Sequence, residues 1–131
     1  MPTVTASSFA DPADYAAYLK AKRQGKTEKE ALAVGDNCIG LWGDATGAVD
    51  KAICALPPED WQTKWGPGSI ARGKKVAVTY QGKTVIGELR DTMPSKAHIK
   101  NGAGIDLNLG FAKAFGLTPP FLLPGFKWEW A

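Results

Sequence analysis

Asp91 and Asp106 have the surroundings of residues that could do chemistry. Each stands at the end of a strand-like stretch, "ELRD" and "GAGID", and Asp106 sits between Ile105 and Leu107 just after a glycine-rich bend. An ionised carboxylate in apolar surroundings is strongly unfavourable unless it is paired, hydrogen-bonded or protonated. Such a position implies either a structural partner or a use for the group. The two aspartates are fifteen residues apart, long enough for a loop that returns the second strand beside the first. Two carboxyl groups in one groove, one protonated and one ionised, are the machinery of glycoside cleavage. The same pair can serve structure instead: Asp91 can close an Asx turn, and Asp106 can brace the glycine loop.

Other chemistries find less support. Gly82-Lys83-Thr84 has the ending of a phosphate-binding loop, but Ala77 stands where the first glycine belongs and a strand follows where a helix is needed. Gly102 and Gly104 open a dinucleotide fingerprint that fails at Leu107. A single histidine, His98 in the polar segment "SKAHIK", leaves a metal cage or a Ser-His-Asp triad without parts. No cofactor and no metal are expected.

A net charge of +3 is too mild for a nucleic-acid-binding chain. The basic cluster Lys20, Lys22, Arg23, Lys26 and Lys29 reads as a solvated helical face. Every apolar run is broken by glycine, proline or charge well short of the roughly 20 residues of a membrane span. The start, "MPTVTASSF", has neither the basic head nor the apolar segment of a signal peptide. Cys38 and Cys54 allow one disulfide, which would stabilise the fold by about 3 kcal/mol in an oxidising compartment, or are two separate small thiols.

The elements that must position the acids follow from local pattern. A chain of 131 residues suggests one domain over 1–131. "TVTASSF" reads as a strand. Asp11 and Pro12 start a helix that Gly25 ends, and Thr27 with Glu30 forms a capping box for a second helix stopped by Gly35. The segment from Gly35 to Ser69 has little periodicity and reads as ordered loops. "KKVAVTY" and "KTVIGELRD" are strands joined by a tight turn at Gln81-Gly82. "GIDL" is a short strand, Asn108 caps the helix "LGFAKAF", and "FKWEW" is a final strand with Phe126, Trp128 and Trp130 on one face. The sum is a small, mainly β domain with short helices, closing into a barrel.

The order "ALP…ARGKKVAVTYQGKTVIGELRDTMP…GAGIDLNLGFAKAFGL" resembles the double-psi β-barrel of the rare lipoprotein A and expansin superfamily. In that superfamily one strand ends in an aspartate, matched by Asp91, and an "IDLS"-type strand enters a helix, matched by Asp106 with Asn108 in place of the serine. "GDNCIGLWGD" resembles the glycine-rich segment after the first expansin strand, with Trp42 at the aromatic site. The helices of 11–34 then form an insertion without a counterpart. The resemblance implies a six-stranded double-psi β-barrel, secreted, periplasmic or envelope-facing, that acts as a monomer on a polysaccharide such as peptidoglycan or a cellulose-like polymer. It implies Asp106 as general acid and Asp91 as the group that orients substrate or stabilises developing positive charge. Peptidoglycan-cleaving members carry a histidine just before the "LP" turn, where this chain has Ile53, Cys54 and Ala55; expansin-like binding does not require it. Asp36 and Asp44 offer further acids at the groove rim or are turn residues, and Trp42, Trp61 and Trp65 offer flat faces for sugar rings.

Overall fold

In a computed structural model, which describes residues 3–131, six strands close into a barrel in the order β1-β5-β2-β4-β3-β6. In chain order the elements are β1 (Val4–Ser8), α1 (Pro12–Arg23), α2 (Glu28–Val34), β2 (Ile53–Leu56), α3 (Pro58–Trp65), β3 (Lys75–Tyr80), β4 (Lys83–Thr92), β5 (Ala103–Leu107), α4 (Leu109–Phe115) and β6 (Leu122–Trp130). The pairs β1/β5 and β2/β4 are parallel and the other four antiparallel, so the fold is the mixed six-stranded double-psi β-barrel, mainly β with short helices. Among the described residues no helix is long and apolar enough to cross a membrane.

Local chemistry accounts for most of these elements. The β3/β4 hairpin turns at Gln81 (φ 49°) and Gly82 (φ 79°), both in the left-handed region that a two-residue turn of this hand requires. Asp11 caps α1 by accepting from Asp14 N at 2.8 Å. Thr27 and Glu30 close a reciprocal capping box on α2. Gly35 lets α2 pass against α1, since a Cβ there would overlap the Asp14 carbonyl oxygen. Tyr18 donates to Glu28 at 2.6 Å across the same pair of helices, and the basic cluster they carry is exposed.

Two elements depart from the expected loops between Gly35 and Ser69. The β2 strand is a continuous apolar run of four residues, buried on both faces, so no alternation marks it. The α3 helix opens on Pro57-Pro58, a signal for the first helical turn that reads equally as a turn. Trp61 on α3 is 2 % exposed and packs into the barrel core with Leu56, Val76, Val78, Leu89, Leu107, Phe111 and Phe126.

Asn108 joins the parts. Completely buried, its Oδ1 accepts from Phe111 N at 3.0 Å, capping α4, and from Ile53 N at 2.9 Å, starting β2. Its Nδ2 points at the carbonyls of Thr46, Ala48 and Lys51 at 2.9–3.1 Å, pinning the end of the glycine-rich loop. A serine would cap the helix but lacks the donors and the reach for those carbonyls.

The cysteines are not bridged. Cys54 points into the barrel core, whereas Cys38 packs against a second apolar cluster (Phe9, Ala10, Ile53, Ala55, Met93, Ala103) on the outer side of β2. The barrel wall separates the two thiols, which excludes the disulfide in this arrangement.

Candidate acidic site on the barrel wall

Ser7, Asp106, Ala55 and Asp91 form a row across four neighbouring strands. Ser7 is opposite Asp106 in the β1/β5 pair, Ala55 opposite Asp106 in β2/β5, and Ala55 opposite Asp91 in β2/β4. Ile105 and Leu107 face the core, so period-two alternation turns Asp106 outward. The β2/β4 register slips between Cys54 and Ala55, which brings Asp91 rather than Arg90 opposite Ala55. The two aspartates thus stand two strand spacings apart, roughly 10 Å at Cα.

The Ser7 hydroxyl donates to Asp106 Oδ1 in a short hydrogen bond. Burial raises the Asp106 pKa to about 7; the Ser7 bond opposes that shift, and the charges of Asp91, Asp36 and Asp14 reinforce it. Asp91 is raised to about 6, again by burial first, against the pull of backbone N–H groups of Thr92 (2.8 Å) and Leu41 (3.0 Å). Asp14 reaches about 6 through burial and the charges of Asp11 and Asp36. Asp36 is raised by burial while its Oδ1 accepts from Cys38 N at 2.6 Å. No ion pair reaches Asp14, Asp36, Asp91 or Asp106 among the described residues. None of the described His, Cys, Asp and Glu groups is arranged to hold a metal ion. What the row can do is hold and release protons near neutral pH.

The two carboxyls open on different spaces. Asp106 lines a cavity of about 470 Å³ with Ser7 and Ser8 of β1, Ala33 of α2, and His98, Lys100 and Asn101 of the β4–β5 connection. Asp91 lines a separate cavity of about 260 Å³ with Leu32, Asp36, Ile39 and Leu41. Ala33 and Leu32 are adjacent on α2, so this helix stands between the openings. The first volume falls within the range usual for small-ligand sites and the second just below it.

The remaining candidates separate. Asp44 is a structural anion: it accepts from Arg72 Nε and Nη2 at 2.9 and 2.7 Å and from Arg90 at 3.2 Å, and Arg72 foremost holds its pKa below the usual range. Trp61 cannot stack on a sugar, being buried with its Nε1 donating to Thr92 Oγ1 at 3.0 Å. Trp65 stands edge-on to Trp130 at 87°, with Lys74 Nζ 4.5 Å from its ring centre, so its face is taken. Trp42 is half-buried and packs edge-on to Trp61. Sequence reading missed Ser7, whose signal was only a small polar residue in the first strand, and Asp14, hidden in a helix start.

Trp61→Phe keeps the apolar ring but removes the bond that steadies Thr92 beside Asp91. Loss of one buried hydrogen bond and some volume should lower stability by about 1–2 kcal/mol. A lower urea midpoint with unchanged slope is the expected result, and an unchanged midpoint would show that the indole N–H is dispensable.

Fold and site together define a double-psi β-barrel whose outer wall carries two half-buried carboxyl groups, Asp91 and Asp106, without cationic partners among the described residues. A similar solved structure is Streptomyces papain inhibitor, 22 % identical, with a TM-score of 0.57, covering 98 % of this chain and 91 % of that one. At this identity the likeness is one of fold. No family model matches the sequence, and no curated protein matches it.

Proposed function

We propose that the protein binds a cell-wall polysaccharide through the cavity beside Asp106, and that Asp106 is the proton donor for cleaving a glycosidic bond of the strand it holds. The observation that carries this reading is a carboxyl group free of any cation and open to a cavity of about 470 Å³, its pKa raised by burial to about 7. Asp91 opens on the separate cavity and is not placed to attack the sugar; its charge instead helps Asp106 to hold its proton. Purified peptidoglycan, cellulose and chitin should be tested for retention of the protein, competition by soluble oligosaccharide, and product masses. Retention on one polymer is expected, with new chain ends absent for Asp106→Asn. No retention on any polymer would overturn the reading.

A second reading has its own observation. Ile39 and Leu41 are exposed at 55 % and 52 % on a loop held rigid by Asx bonds, an Ile39–Ala45 bridge and the Asp91–Leu41 bond. Ordered, apolar loop tips suit a protein partner, and the papain inhibitor shares this barrel. Progress curves of papain with wild type and Ile39→Asp separate this reading from the first: inhibition lost in the variant favours a protein partner, and no inhibition removes it.

A further inference from the structure

Asn101 lines the cavity beside Asp106 and is followed by Gly102, whose φ of 77° turns the chain into β5. The chain has three asparagines, and the fold treats the peptide after each of them differently. Asn108 is fully buried, and its amide nitrogen is spent on the carbonyls of Thr46, Ala48 and Lys51. Asn37 is folded into an Asx turn, its Oδ1 accepting from Ile39 N at 3.0 Å. The next peptide N–H, that of Cys38, donates to Asp36 Oδ1 at 2.6 Å, and the Cys38 side chain screens it. Asn101 makes the same turn, its Oδ1 accepting from Ala103 N at 3.0 Å, with neither obstacle. Asn101 and Gly102 are both exposed, and the Gly102 N–H has no acceptor among the described residues. A Cβ added to Gly102 would meet no atom within 4 Å, so the space beside its nitrogen is open. The ring closed by an Asx turn runs through the nitrogen of the following residue. The Asn101 side chain is therefore held folded back over Gly102, its carbonyl polarised by the bond from Ala103.

We infer that Asn101 is a self-modification site: it deamidates through a cyclic imide formed with Gly102, which places a carboxylate in the cavity that Asp106 lines. The Gly102 nitrogen gives its proton to hydroxide and attacks Asn101 Cγ. The Cγ–Nδ2 bond breaks, and the amide nitrogen leaves as ammonia, taking a proton from water and restoring the hydroxide. Water then opens the five-membered ring at one of its two carbonyls. Opening at Cγ gives aspartate; opening at the main-chain carbonyl gives isoaspartate. One water is consumed and one ammonia released, with nothing oxidised or reduced. Aspartate can keep the Asx turn and adds a negative charge. Isoaspartate adds the same charge and also lengthens the main chain by a methylene, two residues before Ala103 pairs with Thr5. That unsettles the entry to β5, the strand that carries Asp106. The inference holds whatever the cavity binds.

The folded protein and a synthetic peptide of residues 94–107 are kept side by side at mildly alkaline pH in water carrying heavy oxygen. Aliquots are digested in acid, where the imide does not form, and the fragments are sequenced by mass spectrometry. Position 101 of the folded protein should convert roughly tenfold faster than Asn37 or Asn108, and within about threefold of the peptide. The product should carry heavy oxygen, occur in both linkages, and leave a cation exchanger earlier than the parent, with Asn101→Asp as the elution standard. Gly102→Ala should slow conversion by about tenfold, because a methyl group then screens the attacking nitrogen. An unchanged rate in that variant would remove Gly102 N as the nucleophile. A folded protein whose Asn101 stays intact after the peptide has converted overturns the inference, since the turn then protects the step. Conversion of Asn37 or Asn108 at an equal rate overturns it as well.

Discussion

Asn108→Ala should lower the unfolding free energy by about 4 kcal/mol, a large share of the 5–15 kcal/mol typical of a small domain. The side chain is fully buried and serves two N–H groups and three carbonyls. Truncation strands those groups away from water, and a buried unsatisfied group is penalised by about 1–3 kcal/mol. Relaxation of the loop ending at Lys51 offsets part of that loss, which is why the figure is less than the sum. Asn108→Ser should fall about midway, since the hydroxyl still caps α4 by accepting from Phe111 N. Urea unfolding of the three proteins gives the ordering. If the alanine variant loses less than about 1 kcal/mol, the amide is not what ties the loop to the barrel.

Asp106→Asn should act in the opposite direction above neutral pH. The native carboxyl titrates near 7, whereas an unfolded aspartate titrates near 3.9. Between those values the native state binds the proton more tightly, so stability from this group is full below about pH 4 and is lost as pH rises through about 7. Asp91 and Asp14, raised to about 6, add slope of the same sign. Glu88 runs the other way. Burial pushes its pKa up, but Lys75 and Arg90 outweigh that and hold it at about 2, so its stabilisation is present above the unfolded value near 4.3 and lost only in acid. Wild type should therefore be most stable near pH 4–5 and weaken steadily toward pH 8. An amide at position 106 carries no charge to desolvate, so the variant should exceed wild type by about 2 kcal/mol at pH 8 and show a shallower decline. Thermal unfolding across pH 4–8 reads both. A wild-type curve flat over that range would mean that Asp106 is ionised in the native protein, and the proton-donor role would go with it.

The local code is readable wherever a short range of residues decides the outcome. Caps at Asp11, Thr27 and Asn108, the Gln81-Gly82 turn and the alternation in β3 and β4 all depend on groups within a few positions of one another, and each stands where the sequence indicates. The same locality explains why Asp106 was legible: a charge between Ile105 and Leu107, with Ala103 completing the buried face, stands out against the strand's own pattern.

Tertiary structure decided the rest, because the deciding partners are distant in the chain. β2 is recognisable as a strand only once β4 and β5 flank it, and Ala55 becomes the hub of the acidic row only through those two registers. Ser7 meets Asp106 across ninety-nine residues. Trp61 was removed from the sugar-binding candidates by burial, Asp44 was engaged by two arginines, and the cysteines were held apart by the barrel wall. Residue type announces that a carboxyl, an indole or a thiol is present. Whether it is protonated, buried or bonded depends on the dielectric and the neighbours that folding brings to it, and those are properties of the closed barrel.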